Sequence, residues 1–130
     1  LLQNSEATLV MLHQLRGLGA RVSMDDFGTG YSSLSYLRSF PFDKIKIDQS
    51  FIRDMADNNQ SLAIIQAVTS LGATLGMATT AEGVETREQL DLLRSQGCTE
   101  VQGYYFSEAK PAREVAGLLA TIGRKSERAA

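Results

Sequence analysis

Charged and polar side chains recur in this 130-residue chain at the ends of short apolar runs. Asp25-Asp26 closes one run, Lys46 and Asp48 close a second, Glu82 and Glu85 follow a third, and Gln102 lies in a fourth. Adjacent carboxylates beside a further glutamate are hard oxygen donors, the kind that Mg²⁺ and Mn²⁺ prefer. A lysine in the same set offers a positive donor for an attacking water or a phosphoryl oxygen. Together these groups suit metal-assisted attack on a phosphate ester.

Each segment taken alone also has a structural explanation. Asp25-Asp26 before Phe27-Gly28 is ordinary turn chemistry, and Lys46 reads as a solvated strand lysine. Glu82 and Glu85 suit the first turn of a helix, where acids favour the dipole. Gly28-Thr29-Gly30 lacks both the third glycine of a dinucleotide loop and a following Gly-Lys-Ser/Thr. Asp26-Phe27-Gly28 matches the kinase metal-binding tripeptide, but no His-Arg-Asp loop precedes it. His13 reads as a surface residue, Cys98 as a small buried one, and Tyr104, Tyr105 and Phe106 as strand core. Only the joint arrangement favours chemistry.

The elements that must position these groups alternate along the chain. A helix opens at Ser5 with Met11, Leu15 and Leu18 on one face and stops at Gly19. Arg21 to Phe27 reads as a strand, and Leu34, Leu37 and Phe40 mark a short helix ended by Pro41. Lys44-Ile45-Lys46-Ile47-Asp48 has the strict period of two of a strand. A helix carries Leu62, Ile65, Val68, Leu71 and Leu75 to Gly76, and Met77 to Thr80 is strand-like. Thr86-Arg87-Glu88-Gln89 is a capping box opening a helix with Leu90 and Leu93. Val101 to Phe106 reads as the fourth strand. Pro111 opens a last helix through Ile122, and residues 124–130 read as a disordered tail after a folded unit of residues 1–123.

One helix followed by four βα units predicts an α/β fold with parallel strands. An open doubly wound sheet and half of an eight-stranded barrel both satisfy that order, since a whole barrel needs about 250 residues. In either, strand carboxyl ends share one face, and the charged groups above all fall there.

A net charge of -2 argues against a chain that neutralises duplex nucleic acid. The single cysteine cannot form an intrachain disulfide, which fits a reducing, cytoplasmic setting whether or not a longer protein is membrane-anchored. The first residues show no signal peptide and no initiating Met, so the chain reads as a piece of something longer.

Four motifs, in order and over nearly the whole chain, resemble the EAL domain family of cyclic di-GMP phosphodiesterases. They are Asp25-Asp26-Phe27-Gly28-Thr29-Gly30-Tyr31-Ser32-Ser33-Leu34, Lys46-Ile47-Asp48, Ala81-Glu82-Gly83-Val84-Glu85-Thr86 and Val101-Gln102-Gly103-Tyr104. The resemblance implies the C-terminal half of a modified (β/α)8 TIM-like barrel. It implies Asp25, Asp26 and Glu82 as ligands of two divalent ions, Mg²⁺ or Mn²⁺. Lys46 is then the residue positioning the water and Glu82 the general base. Gln102 implies a substrate contact, and Glu85 a support of its own segment. Gly28, Thr29 and Gly30 lie in a loop similar to one coupling dimerisation to the metal site, so a homodimer is implied. Companion sensory or diguanylate cyclase-type domains are implied in the full-length protein. The implied reaction opens one phosphodiester bond of cyclic di-GMP, giving linear pGpG.

The Glu-Ala-Leu tripeptide, the Asn motif and the Glu-Ile/Leu-Thr-Glu motif of the family are absent, and with them three metal-ligand positions. Residues 107–111, Ser-Glu-Ala-Lys-Pro, depart from the more usual Arg-Pro-rich loop. The expectation is therefore a truncated, hydrolytically inactive half of an active parent. A non-catalytic module that binds the nucleotide or a partner protein is the alternative. The retained Asp25, Asp26, Lys46 and Glu82 favour the hydrolase, since a relaxed site would be free to lose them.

Overall fold

A computed structural model describes residues 5–27 and 33–129. Its elements are α1 (Ser5–Gly17), β1 (Ser23–Phe27), α2 (Ser33–Ser39), β2 (Lys44–Ile47), α3 (Gln49–Asp54) and α4 (Asn59–Leu75). Then follow β3 (Ala78–Ala81), α5 (Arg87–Ser95), β4 (Glu100–Val101), a 3-10 turn (Ala112–Glu114) and α6 (Val115–Ala129). The four strands form one parallel sheet in the order β1-β2-β3-β4.

Strict sequential order answers the question that periodicity left open. A doubly wound sheet reverses its strand order at a switch point, whereas right-handed crossovers in one direction keep every helix on the same face. The alternation of β2 shows the two faces directly. Ile45 and Ile47 are fully buried on the helix side, while Lys44 and Lys46 line the other. That division is the architecture of a partial barrel.

The core lies between sheet and helices, where Phe40, Ile45, Ile47, Ile52, Met55, Ile65, Val68 and Leu93 are all but inaccessible. Each such aliphatic contributes about 1.5–3 kcal/mol of burial. Helix α4 starts at Asn58, whose side chain accepts from the N–H groups of Gln60 and Ser61. It ends at Gly76 in the left-handed conformation, with φ 72°. It approaches the sheet at Gly72, where a Cβ would stand 2.7 Å from Thr79 Cγ2, so only glycine permits that closeness. Helix α5 has the full capping box between Thr86 and Gln89 and buries Leu90 and Leu93.

Three expectations are corrected. The fourth strand is Glu100–Val101, not Val101 to Phe106, and residues 104–106 form a turn with Tyr104 69% exposed. The cause is Gly103, which is pressed against the Val84 backbone and closes a turn through Phe106 N–H to Gly103 O at 3.1 Å. Asp48 ends no strand: it caps α3, accepting from Ser50 N–H at 2.9 Å, and α3 itself was not foreseen. Met11, Leu15 and Leu18 stay 53%, 42% and 85% exposed, while Leu9 and Leu12 pack on the core. On the same side of α1 as Leu12, Arg16 pairs with Asp43 at 2.9 Å and lies 4.8 Å over the Phe40 ring. Helix α6 runs to Ala129.

Candidate active site

Register places the site residues before any side chain is considered. In the parallel ladder Lys46 stands opposite Thr80, and Thr80 opposite Glu100. Backbone bonds carry the ladder one residue further, from Glu82 N–H to Ile47 O at 3.2 Å and from Gln102 N–H to Ala81 O at 2.9 Å. With a side-chain period of two, Lys44, Lys46, Thr80, Glu82, Glu100 and Gln102 share the face opposite the helices.

On β1 the pairing of Met24 with Ile45 and of Phe27 with Ile47 leaves Asp25 and Asp26 opposite the single Lys46. Such a bulge re-aims side chains and is frequent beside active sites. Asp25 is exposed there, and the Asp26 side chain lies outside the described residues. Gly28, Thr29 and Gly30 also lie outside them.

At the carboxyl ends of β2, β3 and β4 three predicted residues meet. Lys46 Nζ lies 2.8 Å from Glu82 Oε1, with side chains 26% and 21% exposed. Gln102 Nε2 donates to the same oxygen at 3.5 Å. Glu82 therefore faces a cation and an amide donor, an arrangement that fixes its carboxylate at the strand ends. Glu85 acts through its backbone, its N–H donating to Gln89 Oε1 at 2.7 Å.

Among the described residues no group of three or more His, Cys, Asp or Glu converges on a metal-sized space. The donors the chain offers, Asp25 and Glu82 with Asp26 in the bulge, are carboxylates of the kind Mg²⁺ and Mn²⁺ take. They fit such ions in type.

A second charged layer, not foreseen, lies one strand step below. Lys44 Nζ reaches across β3 to Glu100 Oε2 at 2.6 Å, and Thr80 Oγ1 donates to that oxygen at 3.0 Å. The Lys44 ammonium and then the Thr80 hydroxyl hold the Glu100 carboxyl below the usual range. The i−2 spacing of Lys44, Thr80 and Glu100 from Lys46, Glu82 and Gln102 was the signal. Tyr105 also lies near the site loop: its hydroxyl, ahead of Asp91, raises the Arg87 guanidinium. Cys98 is half-buried, its thiol pushed up by burial. A cleft of about 490 Å³ between α5, β4 and α6 is lined by Leu90, Arg94, Phe106 and Ile122 and reaches Gln102, without Lys46 or Glu82 in its lining.

Residues 1–109 match the family model described as "EAL domain". The bifunctional diguanylate cyclase/cyclic di-GMP phosphodiesterase MucR of Pseudomonas aeruginosa is 42% identical over 121 residues, 93% of this chain and 17% of that protein. The solved PaMucR phosphodiesterase in complex with c-di-GMP superposes with a TM-score of 0.82 over 87% of this chain and 46% of that one. Cyclic di-GMP phosphodiesterase NbdA of the same organism is 47% identical over 111 residues, 85% of this chain and 14% of that protein. BlrP1 of Klebsiella pneumoniae, solved as a manganese/cy-diGMP complex, is 38% identical with a TM-score of 0.77, over 82% of this chain and 27% of that one. The chain thus spans less than a fifth of the curated relatives and about half of the PaMucR phosphodiesterase chain. The parallel sheet, the polar strand ends and these likenesses agree: the chain belongs to the EAL domain family.

Proposed function

We propose that these residues form part of a metal-dependent phosphodiesterase that opens cyclic di-GMP to linear pGpG. The observation that carries this reading is the Lys46–Glu82 contact of 2.8 Å at the strand carboxyl ends, with Gln102 on the same carboxylate oxygen. Lys46 holds the attacking water by its ammonium, and Glu82 takes the proton that the water gives up. The water oxygen forms a new bond to phosphorus, the bond from phosphorus to the 3′ oxygen breaks, and that oxygen leaves protonated by solvent. Gln102 contacts the nucleotide beside the reacting phosphate.

Asp25, Asp26 and Glu82 are the residues that would hold divalent ions, two in number, Mg²⁺ or Mn²⁺. When bound, these ions neutralise charge on the phosphoryl oxygens and acidify the water. Three carboxylates make an incomplete shell for two ions, so further ligands come from sequence outside these 130 residues, and this chain alone is inactive. The manganese in the BlrP1 structure and the nucleotide in the PaMucR structure support both assignments. A homodimer, companion sensory or diguanylate cyclase-type domains, and a cytoplasmic site of action complete the proposal.

The test is turnover by the full-length protein. Chromatography should show cyclic di-GMP converted to pGpG with Mg²⁺ or Mn²⁺ and no conversion after chelation. Nucleotide binding without cleavage under both ions would replace this reading with that of a regulatory binding module.

A further inference from the structure

Gln89 sits at the third helical position of α5, where a capping box needs only an acceptor. Its Oε1 meets that need, accepting from the N–H groups of Glu85 at 2.7 Å and Thr86 at 3.2 Å. These are the last residues of the loop that begins at Glu82. Its Nε2 does something the cap does not require: it donates at 3.4 Å to the carbonyl of Ile52, in α3. One carboxamide thus joins the loop after β3 to the helix after β2. A glutamate would serve the cap equally but has no hydrogen to donate when ionised.

The same loop meets the β2–α3 segment at two more points. Gly83, with φ 77°, faces Gln49, and a Cβ there would stand 2.7 Å from Gln49 Cβ. Glu82 N–H donates to Ile47 O at 3.2 Å. Helix α3 has six residues, too few to be stable unsupported, so its place depends on what it docks against. Lys46 lies three residues before α3, and Glu82 lies in the docked loop.

We propose that Gln89 is a positioning residue, locking the β2–α3 segment that carries Lys46 to the loop that carries Glu82 through the Ile52 carbonyl. The rate effect rests on the phosphodiesterase reading, while the lock itself does not. A displacement of about 1 Å between reacting groups costs on the order of 10²-fold, so a loosened lock is expected to lower kcat by about tenfold.

The experiment compares Gln89→Glu and Gln89→Ala in the full-length protein. Gln89→Glu keeps the cap, so it should fold with a near-wild-type Tm, whereas Gln89→Ala should melt lower. Both should lose about tenfold in kcat with KM changed less than about twofold. In Gln89→Glu, amide exchange across residues 49–54 should speed up about tenfold while Glu85 and Thr86 stay protected. Wild-type exchange at 49–54 would overturn the lock, and faster exchange with unchanged kcat would overturn the positioning role. A Gln89→Glu protein that does not fold would also contradict the proposal, which requires the cap to survive. If the wild type does not hydrolyse cyclic di-GMP at all, the phosphodiesterase reading falls, and the exchange at 49–54 still decides the lock.

Discussion

Replacing Gly103 by alanine should be among the most damaging changes of a single methyl group in this chain. A Cβ at position 103 would stand 2.2 Å from Val84 O and 2.3 Å from Val84 N, well inside contact distance. Val84 is fully buried, so it cannot step aside without opening the core. Two backbone hydrogen bonds run through the same residue, Val84 N–H to Gln102 O at 3.0 Å and Tyr105 N–H to Val84 O at 2.9 Å. Forced separation weakens both, at about 1 kcal/mol each, and adds an overpacking cost of about 1–3 kcal/mol. The expected loss is roughly 3–5 kcal/mol, read in urea as a midpoint lowered by at least about 1 M. Because Val84 lies two residues after Glu82 and Gly103 follows Gln102, turnover should fall with stability. A Gly103→Ala protein within about 0.5 kcal/mol of wild type would refute the reasoning, since the close approach would then carry no cost.

Lys46→Met should cut turnover by about 10²-fold or more while the part-exposed ion pair, worth at most about 1 kcal/mol, changes folding little. Wild-type turnover would remove Lys46 from the mechanism. The Asp43 carboxyl, held low first by the Val22 N–H, and the Glu100 carboxyl, held low by Lys44, stabilise the folded state only when ionised. Their depressed values mean full stabilisation above the ordinary carboxylate range near pH 4 and progressive loss as pH falls through the folded values. Asp43→Asn and Glu100→Gln should each flatten acid unfolding in that window, measured by Tm against pH, and an unchanged slope would contradict the assignment. Expressed alone, these 130 residues should self-associate or fold poorly. The edges at β1 and β4 are unpaired among the described residues, and Met11, Leu18 and Leu119 are exposed. Sedimentation with a turnover assay checks this, and a stable monomer that cleaves the nucleotide would overturn it.

What was legible in the sequence was whatever one local pattern determines. Lys44-Ile45-Lys46-Ile47 reads as a half-buried strand because alternation and burial coincide, and Thr86 with Gln89 reads as a helix start because the box is local. The misreadings arose where a distant group decides. Val101 to Phe106 has strand composition, yet the approach of Gly103 to Val84 turns the chain after two strand residues. Asp48 fits the strand alternation, yet its carboxylate caps α3. Met11, Leu15 and Leu18 form a convincing stripe, yet the helix packs through Leu9 and Leu12, with Arg16 on Asp43 and Phe40. In the site, parity put Lys46 on the polar face, and the structure joins it to Glu82 and Gln102. The Lys44–Glu100 layer and the reach of Gln89 to Ile52 depend on register between strands and on docking between loops, which no single segment encodes. The metal roles of Asp25 and Asp26 rest on the family resemblance and on their place in the bulge opposite Lys46.

Glu82→Gln tests most directly whether the strand-end carboxylate paired with Lys46 is the group that takes the proton. The substitution keeps size and hydrogen-bonding capacity while removing one charge and the basic oxygen. In the full-length protein at saturating Mg²⁺ or Mn²⁺, cyclic di-GMP should still bind within a few-fold of wild type, with turnover reduced by about 10²-fold or more. Turnover within a few-fold of wild type would contradict the role assigned to Glu82.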